Sequence, residues 1–512
     1  MIQKKMTNKY RRELFHHLNG IVSIPTIQSL LKIISTINSK DEIILDNVPT
    51  NINKGYLNVA LRLLYSLKFL DYDENKTKRI YKKTMQLNEL TDNPDLMSSL
   101  NTLINFHIDF NNLGRDDYKK YSQIILTILN KLSRLDISDQ SRTYILGLIA
   151  GPIIANLGFK NNITIDNQIL SFEKKNQSFN NTLIELFTLL GFIVSKGNTR
   201  CLLTEKGEFF LSRSAAYGVT VSYLPLLNNL DELFVGNGEF IYQRINNHEI
   251  HIDRSMNVWG SGGAHKTYFK KIDTIIKKIF NKDINKQPIG IIDVGCGDGT
   301  FLAHLHHIIT TKTNRKHFLK THPLIMIGTD INQKARIASR NKLKNIKHIV
   351  IDGNIGNPKR INTILKNDYS HNLSDFLNTR TFLDHNRIYE ETESIPNNIE
   401  TSGAFAHKGR LINKEALTSN LITHFKKWRP FIKKHGLILL ELHTLNTKLI
   451  RKNIGKTLSP AYDATHGYSD QYLIEHNAFL DCITMAGLNY SKKDLLLFPN
   501  NKIPTVSINY IK

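Results

Sequence analysis

Ile291-Ile292-Asp293-Val294-Gly295-Cys296-Gly297-Asp298-Gly299-Thr300-Phe301-Leu302 is the stretch that decides the fold. The apolar run from Ile289 to Val294 is short enough for a buried strand. It ends in three glycines at alternate positions, and helix-compatible residues follow from Phe301. Glycine lets the backbone turn sharply and lets a ligand approach with no Cβ in the way. The helix that starts next offers unpaired N–H groups. Beyond this turn, Leu324 to Asp330 reads as a second strand ending in a carboxylate. His348 to Ile351 reads as a third, followed by Asp352-Gly353-Asn354. Strands alternating with helices imply parallel βαβ units in a doubly wound sheet, whose ligands collect at the strand ends where the strand order reverses.

An acid ending the second strand can accept the hydroxyls of a ribose. A carboxylate or amide after the third can address an adenine edge. The spacing here is GxGxG, without the third glycine of the GxGxxG dinucleotide fingerprint. Asp293, two residues before the first glycine, suits the amino-acid end of a methionine moiety better than a pyrophosphate. The strand-end series Asp293, Asp330, Asp352 therefore points to S-adenosylmethionine (SAM) and away from NAD. A nucleotide-free α/β domain is the plain competitor. The expected cofactor residues are Asp293, Gly295, Gly297, Asp298, Gly299, Asp330, Ile331, Asp352, Gly353 and Asn354. A glycine-rich stretch, residues 257–265, precedes the first strand and reads as a loop able to fold over the cofactor, with Trp259, Ser261 and Gly262 touching it. A plain linker is the alternative there.

The chain of 512 residues is too long for one core. Hydrophobic residues at 41% and charged residues at 22% describe a globular protein and exclude a disordered one. No uninterrupted apolar run reaches the roughly 18 residues of a membrane span. The N-terminal residues lack the pattern of a secretory signal. Three scattered cysteines, Cys201, Cys296 and Cys482, form no metal-ligand spacing and fit a reducing, cytoplasmic setting. The net charge of +23 would attract nucleic acid, an anionic membrane or an acidic carrier protein. Lysines such as Lys76, Lys78, Lys82 and Lys83 lack interleaved aromatics, so nucleic acid is not the expected partner. The oligomeric state is left open.

Residues 1–160 read as a helical, winged-helix-like domain, 161–245 as a second winged-helix-like and lid segment, and 246–512 as the α/β domain. In the first, Leu57, Ala60, Leu61, Leu64 and Leu67 recur at helical spacing, and two strands follow with a polar turn between them. In the second, Gly191 follows a helix and Gly197-Asn198 marks a hairpin turn. Such modules hold DNA or serve packing. Without a basic recognition helix, packing is the expected role. In the α/β domain a fourth strand, residues 376–383, runs into Asp384-His385-Asn386-Arg387 and a long polar insertion. A histidine beside a carboxylate at a strand end can act as a general base near neutral pH, which makes Asp384 and His385 catalytic candidates. A surface ion pair is the competing reading.

Six stretches together resemble a known family: residues 217–236, 251–269, 291–302, 378–389, 436–444 and 462–475, with FLDHNR and THGYSDQ the most specific strings. They look like the SAM-dependent C-methyltransferase domains of polyketide synthases, of the apratoxin-pathway type. The resemblance implies a class I methyltransferase fold, with a Rossmann-like, seven-stranded, doubly wound sheet behind a helical, partly winged-helix N-terminal region. It also implies methylation of an acyl or polyketide-type substrate at carbon α to a carbonyl, the substrate being small or tethered to a carrier protein. Asn354 departs from the family, which usually has an acid there. C-methylation must remove a proton and stabilise an enolate, through a histidine base or a Lewis-acid metal. His466, in a loop after the strand at residues 437–443, is the third catalytic candidate. Some relatives hold one divalent metal ion, and His466 and Gln471 match those ligand positions, with Glu441 or His443 completing the set. A small-molecule O-methyltransferase is the first alternative. A SAM-binding protein acting on a host protein or nucleic acid is the second.

Overall fold

The computed structural model describes residues 2–36, 42–75, 78–172, 176–196, 200–236, 238–246 and 248–512. The chain divides into two compact units. Unit 1 is Met1–Gly263 with Ala406–Leu411 and Thr447–Asp470, and unit 2 is Ala264–Phe405, Ile412–Asn446 and Gln471–Lys512.

Unit 1 is built on a long helix, Ile2–Thr36, packed along a second, Asp139–Phe159. Glycine sets how closely they meet. A Cβ on Gly20 would lie 2.0 Å from the Tyr144 carbonyl oxygen, and one on Gly147 2.3 Å from the His17 Cα. Asp139–Phe159 is long and apolar enough to cross a membrane, but most of it is buried inside the unit, as a core helix is. Both expected helix-and-hairpin units form. The helix Lys54–Ser66 buries Leu57, Ala60, Leu61 and Leu64 completely, and its hairpin pairs Leu70–Asn75 with Lys78–Lys83. The second couples Gln177–Leu189 to the strands Ile193–Lys196 and Arg200–Leu203, which join Ile163–Asp166 and Ile169–Phe172 in a four-stranded sheet. Lys76 and the Gly197-Asn198 turn lie outside the described residues.

Unit 2 holds a seven-stranded sheet, with β1 Gly290–Val294, β2 Ile325–Asp330, β3 His348–Asp352, β4 Leu377–Thr381, β5 Leu437–Leu442, β6 Leu496–Phe498 and β7 Val506–Ile511. The spatial order is β3-β2-β1-β4-β5-β7-β6. The first five strands run parallel, and β7 is antiparallel to both β5 and β6. Alternate side chains feed two cores. Ile292, Val294, Ile327 and Leu439 face one, with the helices Pro358–Tyr369, Lys414–Ile432 and His476–Met485. Ile291, Met326, Ile438 and Leu440 face the other, with the helix Thr300–Lys312. The order reverses between β1 and β4, so their carboxyl ends flank the crevice where such sheets take ligands. This is the class I SAM methyltransferase fold.

Two local expectations are corrected. Residues 257–265 are no loop, because Arg254–Phe280 is one helix. Asp253 starts it, its carboxylate accepting the Met256 N–H at 3.0 Å. Each glycine inside a helix costs up to about 1 kcal/mol. Gly260 offsets that by letting the helix touch another backbone, since a Cβ there would sit 2.8 Å from Gly218. His466, expected in a loop after β5, lies in the last turn of the helix Ser459–Gly467, in unit 1.

Candidate active site

The glycine turn after β1 takes the shape its sequence announces. Gly295, Gly297 and Gly299 have φ of +77°, +54° and +79°, a region that L side chains enter only at a cost. The Gly295 and Cys296 N–H groups both donate to the Thr329 carbonyl, tying the turn to β2. A Cβ on Gly297 would meet nothing within 4 Å, so a ligand can reach that backbone. Asp330 stands beside it. Its carboxylate accepts the Gly297 N–H at 3.2 Å and the Asn332 N–H at 2.8 Å. Burial pushes its carboxyl up, against the pull of these N–H groups. Ile331, the next residue, is 64% exposed.

Asp293 is buried at the floor, its Oδ1 accepting the Thr379 hydroxyl at 2.8 Å. Burial pushes its carboxyl up to about 8, and the nearby Asp330 adds to the rise. Open backbone, a strand-end acid and an exposed apolar neighbour together fit SAM. Other expected residues have structural duties. Asp298 takes the N–H and hydroxyl of Thr300 at 2.9 and 2.7 Å, so its carboxylate caps the next helix. Asp352 pairs with Arg336 at 3.2 Å and Arg360 at 2.9 Å. The Asn354 side-chain oxygen takes the Gly356 N–H at 2.8 Å. Gly353 is buried, and a Cβ on it would lie 2.8 Å from Thr329. Trp259, Ser261 and Gly262 belong to unit 1, where the Trp259 ring lies 5.4 Å from that of Phe159 and the Ser261 hydroxyl donates to the Val258 carbonyl.

A second cluster lies at the ends of β4 and β5. Asp384 and His385 are buried, which rules out the surface ion pair. They do not pair with each other. His385 Nδ1 lies 2.5 Å from Glu441 Oε1, and the Asp384 N–H donates to Glu441 Oε2 at 2.8 Å. The Leu442 N–H adds a third contact to this carboxylate, at 2.7 Å. Two backbone N–H groups and the His385 ring converge on one buried carboxylate. Glu441 is thus the orienting partner of His385. The sequence carried the signal, an acid in the otherwise apolar run LILLEL, but its partner stands 56 residues away.

His466 is buried in unit 1, with Nδ1 2.7 Å from the Tyr462 carbonyl oxygen. Glu441 and Gln471 belong to unit 2. Among the described residues, no three His, Cys, Asp or Glu side chains form a group that could hold a metal ion.

Fold and glycine turn define the class, a SAM-dependent methyltransferase. Residues 249–509 match the AprA MT2-like domain, 146–237 the AprA winged helix domain and 10–72 the AprA N-terminal domain. The first match spans half of the chain, and the chain belongs to that family. No curated protein matches it. Solved structures that it resembles include the citrinin polyketide synthase CMeT domain, at 12% identity over 80% of this chain and 96% of that one, with a TM-score of 0.36. The CurJ carbon methyltransferase matches at 14% identity over 76% and 97%, with a TM-score of 0.32. An O-methyltransferase family protein from Burkholderia thailandensis matches at 13% over 75% and 97%, with a TM-score of 0.37.

Proposed function

We propose that this methyltransferase methylates a carbon α to a carbonyl of an acyl chain, free or carried on an acidic carrier protein, with His385 as the general base. The observation that carries this reading is the buried contact between His385 Nδ1 and Glu441. When bound, SAM supplies an electrophilic methyl group. The chain's own residues hold it and prepare the acceptor. Asp330 would take the ribose hydroxyls, Gly297 the close backbone approach, Ile331 the base and Asp293 the methionine end.

With Nδ1 donating to Glu441, His385 Nε2 is the atom that takes the proton from the acceptor carbon. The imidazolium so formed is stabilised by the Glu441 carboxylate. A base placed in this way contributes about 10²–10⁴-fold. Proton transfer from carbon is slower than from a phenol oxygen, and a histidine backed by a buried carboxylate suits the slower step. Membership in the AprA MT2-like family supports the same acceptor class.

The test uses SAM with a ¹³C-labelled methyl group and a panel of β-ketoacyl thioesters and phenols. Label on the α-carbon of the thioester is the expected product, read by carbon NMR. Label on oxygen alone would overturn the reading.

A further inference from the structure

Arg380 and His424 are buried next to this pair, and the chemistry above uses neither. The Asp384 carboxylate turns away from His385. Its Oδ1 accepts from Arg380 Nη1 at 2.6 Å, and His424 Nε2 lies 3.0 Å from the same oxygen and 3.1 Å from Arg380 Nη1. The Arg380 guanidinium sits 4.1 Å from the centre of the Trp428 ring, and the Trp428 Nε1–H donates to the Ile355 carbonyl at 2.8 Å. Arg387 holds the other side of Asp384, donating from Nη1 to its carbonyl at 2.9 Å and from Nε to Asn420 at 2.7 Å. Asp384 Oδ2 and Arg380 Nε and Nη2 are buried with no hydrogen-bond partner, while the Asp384 N–H donates to Glu441.

The turn needs such a hold. Phe382, two residues earlier, has φ of +53°, which costs a non-glycine residue roughly 1–2 kcal/mol. Stability by itself does not account for the Arg380–Asp384 pair, because apolar side chains of similar volume in place of a buried ion pair are often as stable or more so. Arg380 and Asp384 are each 1% exposed. Burial pushes the Asp384 carboxyl up, but Arg380 and His424 more than reverse this and hold it below its ordinary value. Burial pushes His424 down to about 4, so its ring is neutral.

We infer that Arg380 and His424 are positioning residues: by fixing the Asp384 carboxylate they aim the Asp384 N–H at Glu441, and so hold Glu441 and His385 in the orientation in which His385 Nδ1 is the donor. The inference rests on the reading of His385 as the base.

The test compares Arg380→Met, Arg380→Lys and His424→Gln in the full-length protein. The structural readout is the downfield proton resonance of His385 Nδ1–H in ¹⁵N-histidine-labelled protein, assigned by its loss in His385→Gln. In Arg380→Met this resonance shifts or disappears, and kcat falls on the order of 10²-fold, the scale of a small misplacement. SAM affinity stays unchanged. Arg380→Lys restores part of both signals, and His424→Gln weakens both if Arg380→Met does not fold. A folded Arg380→Met or His424→Gln with resonance and kcat intact overturns the inference, and so does the failure of both to fold, which would make the pair purely structural. The resonance is read without turnover. Full activity in His385→Ala would sink the base reading, whereas a resonance indifferent to Arg380 would sink only the brace.

Discussion

The two halves of the seven-stranded sheet place chemistry at their strand ends in opposite ways. At β1 and β2 the glycine turn and the residue after Asp330 stay open, with Gly297 facing empty space and Ile331 exposed. At β4 and β5 the groups are charged side chains, closed off from water, from segments 56 residues apart. A cofactor that enters and leaves needs accessible backbone. A base that must hold one tautomer needs a dry setting, where each hydrogen bond is stronger than in water. Binding and chemistry should therefore separate cleanly under mutation.

The sharpest way to break this contrast is to remove the base. His385→Ala should lower methyl transfer by about 10²–10⁴-fold, and Glu441→Gln should follow it, with calorimetric SAM affinity nearly intact in both. Near-normal turnover in either would erase the division of labour. The mirror experiment is Asp330→Ala, which should weaken SAM binding by roughly 1.5–3 kcal/mol, the scale of hydrogen bonds to a charged group. The variant should stay folded, since this acid borders the open turn. Unchanged SAM affinity would move the ribose site elsewhere.

Smaller effects sharpen the picture of the turn itself. Gly297→Ala should lower stability by roughly 1–2 kcal/mol from its positive φ alone, because its Cβ points into open space. Gly295→Ala should cost more, since its Cβ would also press on Leu383 at 2.7 Å. Equal melting temperatures for the two would contradict this geometry. A pH slope comes from Asp293, whose carboxyl is raised by burial from 3.8 to about 8. An acid raised on folding contributes stability that is complete below its unfolded value and is lost as pH climbs through its folded one. SAM-free protein should therefore lose stability between about pH 4 and pH 8, no more steeply than about 1.4 kcal/mol per pH unit from this group. Asp293→Asn should flatten that slope in urea titrations across the same range.

The cofactor half of the fold was legible because its information is local. Residues 289–300 specify strand, turn and helix start by composition alone. The alternating burial of Ile291 and Ile292, Met326 and Ile327, and Ile438 and Leu439 follows from side-chain alternation along a strand covered on both faces. The misreadings came where local sequence and tertiary packing disagree. Three glycines at 260–263 read as a loop, yet the helix Arg254–Phe280 runs through them, with Gly260 against the Gly218 backbone.

By itself, then, the sequence determined the doubly wound sheet and the glycine turn, because hydrophobic periodicity and backbone freedom act over a few residues. It also marked Asp384 and His385 as a chemical pair. Only the tertiary structure decided that they are not one. Glu441, the partner of His385, was chosen by which parallel strands end side by side, and Arg380, four residues before Asp384, by the turn between them. A buried charge takes whichever opposite charge the packing brings within reach, and the linear order of residues does not encode that choice.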